Sequence, residues 1–421
     1  MFCNRGGPLY YYDTSTSVSS GVPQLGTAGF EISETIPGAS NPPTILDSFI
    51  ISEQHGHCIA FATNDIGAVQ QNNMLIRWSD RHNPFVWTPT TSNEAGGRIL
   101  REGSTILGAV HTKSEIIIFT NTAVYSCRYV GYPETYGFEI VTRNTTALSS
   151  GSFVSVDNAV FFMGRDQFYM YDGSVQPLSK NLVNFVFNDL NEGQSDKCFA
   201  GVNSKFTEVI WFYPSADSFE PNKWVSFNYS NGTWTHGDFD MSALTSGGGI
   251  DSKARTSWHD VNIINNPIAT YIKEYDPSSL PESNKSGMMN HELGRSADGL
   301  DIIHIVESGQ LDIMEGDKVM HYSRILPDVE LFGNTDDASP VVTLSIDGRN
   351  LPGRAEHSSS EVVLDFSANT VDGLDYTPDY NDTSIRGRAR TLSFRASSSG
   401  SGFGWRLGTL RLDLKPDGGR P

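Results

Sequence analysis

Ala159-Val-Phe-Phe-Met-Gly-Arg-Asp-Gln-Phe-Tyr-Met-Tyr-Asp-Gly173 carries two short β-type runs, Ala159–Met163 and Phe168–Tyr171, the second closed by an Asp-Gly turn signal. Apolar and aromatic runs of four to six residues bounded by Gly, Asn, Asp or Pro read as strands. The same pattern recurs at Ile116–Phe119, Val209–Tyr213, Val341–Ile346 and Val362–Phe366. Leu182–Asn191 alone has spacing that allows one amphipathic helical turn or two, and a strand stays open there.

Working outward, aromatic-rich strand ends repeat along the chain. Taking Tyr12, Trp78, Tyr125, Tyr171, Tyr229, Tyr275 and Tyr322 as markers, the intervals are 66, 47, 46, 58, 46 and 47 residues. The 46–47 period is that of one four-stranded propeller blade, about 40–50 residues in known repeats. A single blade exposes both faces of a small twisted sheet, and radial stacking buries them. The longer intervals then read as blades with insertions, and an array of sandwiches is the second reading. Trp78, Trp87, Tyr171, Trp211 and Trp405 are expected to be structural aromatics.

After residue 325 the pattern changes. Pro327, Gly333-Asn-Thr-Asp-Asp337 and Pro340 punctuate the chain, and strands with strict alternation follow. In Arg390–Arg395, Thr391, Ser393 and Arg395 fall on one face, Leu392 and Phe394 on the other. The expectation is an all-β protein: a β-propeller-like domain over 1–325, then a β-sandwich-like platform or assembly domain over 326–421.

Composition narrows the function classes. The 421 residues hold 30 Lys and Arg against 49 Asp and Glu, a net charge of −19, which disfavours a surface that grips nucleic acid throughout. The sign is uneven: residues 386–421 sum to +6, leaving −25 for residues 1–385. No apolar run is long enough for a membrane-spanning helix, so no membrane insertion is expected. The start, Met1-Phe-Cys-Asn-Arg-Gly-Gly7, has no apolar core and leads to no expectation of a secretion signal. On that basis the five Asn-x-Ser/Thr sites at Asn144, Asn228, Asn231, Asn284 and Asn381 read as incidental. Cys3, Cys58, Cys127 and Cys198 are widely spaced, which suits reduced, mostly buried thiols.

Catalytic constellations are weak. His55-Gly-His57 offers two imidazoles without a third ligand at metal-site spacing and reads as a polar loop. His291-Glu292 meets Arg295 where a zinc-protease helix needs its second His. Gly247–Gly249 and Gly400–Gly404 lack the Lys-Ser/Thr of a phosphate loop. Ser79-Asp80 through Trp87 partly matches the Ser-x-Asp-x-Gly-x-x-Trp turn of sialidase blades, but Gly is absent and such turns are structural. Acid pairs such as Asp375 with Asp379, or Asp301 with Asp312, have no separation that sequence can assign. No catalytic residue, cofactor or metal is therefore expected. Arg386-Gly-Arg-Ala-Arg390 is the densest positive charge, and Arg386, Arg388 and Arg390 are candidates for a contact with acidic surface on a neighbouring subunit.

These residues carry a family resemblance. Ile76-Arg-Trp-Ser-Asp80, Asn83-Pro84, Trp87, Glu94-Ala-Gly96, Ile116–Thr120, Ala123-Val-Tyr125, Phe161-Phe-Met-Gly164, Phe168–Gly173 and Val209–Pro214 resemble, in order, the nozzle or tail-hub proteins of short-tailed bacteriophages, also called packaged-DNA stabilisation proteins. The ending, Arg386–Arg390 through Gly404–Gly408, Arg411-Leu-Asp413 and Pro416–Gly418, is similar to endings in the same group. The resemblance spans about half the chain. It implies a hexameric tube below portal and adaptor, built from β-propellers and platforms, through which the genome leaves, and it implies no catalytic residues. The group commonly has a longer N-terminal part, so the first blade or a platform segment is expected to be shortened, missing or supplied by another protein.

Two function classes follow. The first is a structural virion protein of the tail, made in the host cytoplasm. It would be a homo-oligomeric ring contacting an adaptor and tail fibres or spikes, with DNA passing without sequence-specific binding. The alternative is a propeller-type glycan hydrolase or depolymerase, or a glycan-binding module, of a virion.

Overall fold

The computed structural model describes residues 1–3, 5–11, 30–32, 37–180, 182–204, 206–219, 221–238, 258–263, 266–274, 286–290, 302–312, 318–332, 340–351, 358–366, 383–400 and 403–416. Four consecutive four-stranded antiparallel sheets, each a simple meander, run from Ser48 to Asp238. The first comprises Ser48–Ser52, His57–Phe61, Leu75–Trp78 and Gly96–Ile99. The second comprises Ile106–His111, Ile116–Thr120, Ala123–Gly131 and Thr135–Arg143. The third comprises Phe153–Val156, Ala159–Met163, Phe168–Tyr171 and Val175–Pro177, and the fourth Phe199–Asn203, Glu208–Tyr213, Lys223–Asn228 and Trp234–Asp238. Three-stranded sheets lie on either side in sequence, over Phe2–Glu31 and Trp258–Asn290. The connections use the turn chemistry of the sequence. Asp157 (φ 53°) helps join Val156 to Ala159, and Gly173 (φ 110°) sits between Tyr171 and Val175.

Period-two alternation builds three cores between these sheets. Ile116 and Ile118 pack with Phe61, Ile76 and Trp78 of the first sheet, while Ile117 and Phe119 pack with Val160 and Phe162 of the third. Phe161 and Met163 turn the other way, onto Val209, Trp211 and Val225 of the fourth. Both faces of the inner sheets are thus buried, which is why their second strands run apolar from Ile116 to Phe119 and from Ala159 to Met163 rather than alternating. The first strands of successive sheets are neighbours, from Ser48–Ser52 through Ile106–His111, Phe153–Val156 and Phe199–Asn203 to Trp258–Ile263. Face-to-face stacking of meanders with first strands adjacent is a β-propeller-like arrangement.

The aromatic markers have a common position. Trp78, Tyr125 and Tyr171 lie in the third strands of the first three sheets, and Tyr229 directly follows the third strand of the fourth. Tyr12 and Tyr275 lie outside the described residues. Tyr322 is a correction: it belongs to strand Met320–Leu326, which pairs with Ser384–Ala389 and Arg411–Pro416, so the last 47-residue interval is not a blade. Within Leu182–Asn191 the chain forms one short helix, Val183–Phe187. Cys58, Cys127 and Cys198 are buried, Cys3 is half-buried, and all four are free thiols. Burial pushes the thiols of Cys58 and Cys198 up to about 12.

Contacts group Met1–Met241 and Ile250–Asn290 into one compact unit and place His291–Pro421 in another. The second unit therefore begins ahead of residue 326, because Met320–Leu326 and Ile302–Glu307 pair with strands near the C-terminus. Its larger sheet has the strand order Ile302–Glu307, Thr391–Gly400, Val341–Arg349, Ser358–Asp365, and a second sheet sets Met320–Leu326 between Ser384–Ala389 and Arg411–Pro416. Tyr322, Ile325, Leu344, Ile346, Leu364, Ile385 and Leu392 join these sheets in a single core, a sandwich-like packing. The polar face of Thr391 and Ser393 is not solvated. Gln310 covers it, accepting from Thr391 Oγ1 (2.9 Å) and donating to Ser393 Oγ (3.0 Å).

Candidate functional site

The sequence-selected aromatics sit in packing positions. Trp87, Trp211, Tyr171 and Trp78 are buried, at most 5% exposed. Each indole N–H has a carbonyl: Trp78 donates to Glu94 O (2.8 Å), Trp87 to Pro84 O (2.8 Å), and Trp211 reaches from the fourth sheet to Ser152 O beside the third (3.2 Å). Trp405 is half-buried against the second unit's core and donates to Ser398 Oγ (2.7 Å), whereas nearby Phe403 is fully enclosed.

The arginines divide by position. Arg386 and Arg388 are exposed on strand Ser384–Ala389, whose Ile385 and Ala389 point into the core. Gly387 between them leaves room for the Tyr322 ring, which a Cβ there would strike. The outward spacing of the two guanidiniums is therefore fixed by a packed backbone. Arg390 is half-buried in the bend after the strand, its backbone N–H donating to Arg349 O (3.0 Å).

Two polar clusters stand in the propeller-like unit, and the sequence reading reaches only the His55-Gly-His57 part of the second. In the first, Glu115, 8% exposed, stands at the start of a second-sheet strand. Its carboxylate accepts from Tyr171 Oη of the third sheet (2.6 Å), from Arg128 Nε (3.0 Å) and from Ser126 Oγ. Burial alone would raise the Glu115 pKa, but the hydrogen bonds from Ser126, Tyr171 and Arg128 outweigh it and hold the carboxyl below its ordinary value. Burial, then the same carboxylate, pushes Tyr171 up to about 12. Sequence gives no signal for this group because Glu115 and Tyr171 lie 56 residues apart and meet only when sheets stack.

The second cluster corrects the reading of His55-Gly-His57 as a loop. His57 opens strand His57–Phe61 and is fully buried. Its Nδ1 lies 2.9 Å from Ser79 O and its Nε2 lies 3.1 Å from Glu94 Oε2. A carbonyl accepts only, so the Nδ1 N–H donates to Ser79 O, and Nε2 faces the Glu94 carboxylate. Tyr129 Oη donates to the same Glu94 oxygen (3.1 Å), and the His55 ring stacks on Tyr129 with centroids 4.1 Å apart. Asp80, expected to close its turn through nearby backbone, accepts from the N–H groups of Arg81 (2.8 Å) and Glu94 (3.0 Å).

Of the acid pairs, Asp301, Asp375 and Asp379 lie outside the described residues, as do His291-Glu292 and Gly247–Gly249. Asp312 is exposed on the short strand Leu311–Asp312. Among the described residues no group of three or more His, Cys, Asp or Glu side chains is placed to hold a metal ion.

No protein-family model and no curated protein matches this sequence. Solved structures similar at low level include the following three. The N-terminal domain of Nup159 aligns with a TM-score of 0.30 and 10% identity over 85% of this chain and 89% of that one. Nup159 in a complex with Dbp5 and Gle1 from S. cerevisiae gives 0.30 and 11% over 85% and 90%. The Trypanosoma rangeli sialidase gives 0.26 and 9% over 85% and 78%. At such scores the likenesses carry no argument about activity, and the residues of this chain have to supply it.

Proposed function

We propose that this chain is a ring-forming structural subunit of the tail nozzle of a short-tailed phage, a conduit that retains and then releases the genome. The outward pair Arg386 and Arg388, on a strand whose backbone is packed against Tyr322, carries the reading. The last 36 residues sum to +6 and the remainder to −25. A basic strand face on one copy meeting acidic surface on the next is a heterologous contact, and such contacts close into rings when the rotation allows. Acidic surplus toward the lumen then keeps DNA phosphates from adhering as the genome passes. In this reading an adaptor sits above the ring and fibres or spikes attach at its side.

Light scattering coupled to size exclusion, followed by negative-stain imaging, tests the proposal. The chain has a mass of 46.2 kDa, so six copies give about 280 kDa with visible rotational symmetry. A strictly monomeric protein that turns over host polysaccharide overturns the proposal in favour of a depolymerase.

A further inference from the structure

Between the first and second sheets the turn around Ser52–His55, the turn around His111–Glu115 and the strand positions Tyr129 and Tyr136 enclose a cavity of about 410 Å³. That volume falls within the roughly 300–1,000 Å³ of small-molecule sites. Neither of the two polar clusters requires such a space. Tyr136 is 5% exposed, and its buried hydroxyl has the Ser52 hydroxyl as its polar neighbour and no other hydrogen-bond partner. A phenol with that single neighbour keeps hydrogen-bonding capacity to offer a molecule entering the cavity.

Most charges around the cavity are matched, and the exposed Glu53 carboxylate adds an acceptor to its lining. Glu115 is held by Arg128, Tyr171 and Ser126, and Lys113 reaches Asp157 at 2.7 Å. Burial lowers the pKa of both His55 and His111, so both rings are neutral near pH 7. A neutral His111 donates Nε2–H to Ile51 O (3.0 Å), which leaves Nδ1 an acceptor. The groups with hydrogen-bonding capacity to offer are then the Tyr136 and Ser52 hydroxyls, His111 Nδ1, the Gln54 amide and the exposed Glu53 carboxylate. They share the cavity with the stacked rings of Tyr129 and His55 and with Ile116. Hydroxyl, amide, imidazole and carboxylate groups beside apolar and ring surface match a molecule with vicinal hydroxyls along its edge and C–H groups on its face.

We propose that this cleft binds one neutral saccharide unit, with Tyr136 Oη bonded to a sugar hydroxyl and the sugar's C–H face against the Tyr129–His55 ring pair. A phosphate or carboxylate ligand would find no unmatched cation there and would meet the Glu53 carboxylate. Water satisfies the polar groups one at a time, whereas a pyranose ring satisfies several together and covers the rings. The inference stands apart from ring assembly, since the whole cleft lies within one chain.

Saturation-transfer NMR on the full chain tests it with methyl glucoside, methyl galactoside and methyl N-acetylglucosaminide as neutral probes and N-acetylneuraminic acid as the anionic one. At least one neutral glycoside is expected to bind, with the anionic sugar weaker. Tyr136→Phe keeps the ring in the core and removes only the hydroxyl, and it should weaken binding roughly tenfold, as loss of one buried hydrogen bond does. Gln54→Ala, an exposed position that folding does not need, should also weaken it and serves if Tyr136→Phe fails to fold. No binding by any neutral glycoside, equal or tighter binding of the anionic sugar, or unchanged affinity in a folded Tyr136→Phe overturns the assignment.

Discussion

Tyr171 Oη of the third sheet donates to Glu115 Oε1 of the second at 2.6 Å, so a phenol and a carboxylate 56 residues apart in sequence tie two blades together. Tyr171→Phe removes one charge-assisted bond and should cost about 1.5–3 kcal/mol in chemical denaturation near neutral pH. Glu115 has a folded-state pKa below its unfolded value, so its contribution is complete above the unfolded pKa and is lost as pH falls through the folded one. The stability gap between wild type and Tyr171→Phe should therefore narrow in acid. A gap that stays constant down to the pH of acid unfolding would show that Glu115 is not its source.

Trp78 occupies the space that a side chain on Gly96 would need. Its Cζ2 lies 2.6 Å from an ideal Cβ there, and the indole is pinned by its bond to Glu94 O. The two residues are register partners, and Trp224 with Gly237 repeats the arrangement in the fourth sheet. Gly96→Ala should destabilise the unit by about 1–3 kcal/mol through overpacking. A thermal melt unchanged from wild type would mean that the indole moves aside freely.

Phe403 and Trp405 lie two residues apart and should respond differently. Phe403→Ala empties a fully enclosed site and should cost roughly 3–5 kcal/mol. Trp405→Ala removes a half-buried ring and one bond to Ser398, and about 2–3 kcal/mol is expected. Denaturant titration of the two variants tests the order, and a larger loss for Trp405 would place that ring deeper than its exposure indicates.

Replacing Arg386, Arg388 and Arg390 together with Glu should weaken ring assembly while leaving the propeller-like unit folded. Arg386 and Arg388 should carry the effect, because Arg390 is half-buried in a bend. Sedimentation of the double and triple variants separates these contributions. Rings of unchanged stability would assign the arginines another role.

Much of the fold was legible because the blade repeat is local. Each sheet is a meander of neighbouring segments, so the turn residues and the aromatic of the third strand recur at the blade's own length, as from Trp78 through Tyr125 to Tyr171. The same rule misled at Tyr322, where an aromatic strand at the right interval belongs to a sandwich. Spacing records only distance along the chain, and the strand's partners, Ser384–Ala389 and Arg411–Pro416, lie some 60 to 95 residues further on.

The sequence by itself determined the all-β class, the period of the stacked sheets, the buried aromatics and the charge asymmetry of the C-terminal end. These follow from composition and short-range pattern. Only the tertiary structure decided that His57 is a buried partner of Glu94, that Gln310 covers Thr391 and Ser393, and that Glu115 meets Tyr171. Polar side chains take their roles from the groups that desolvate and bond them. Here those groups come from other strands and sheets, which no local pattern encodes.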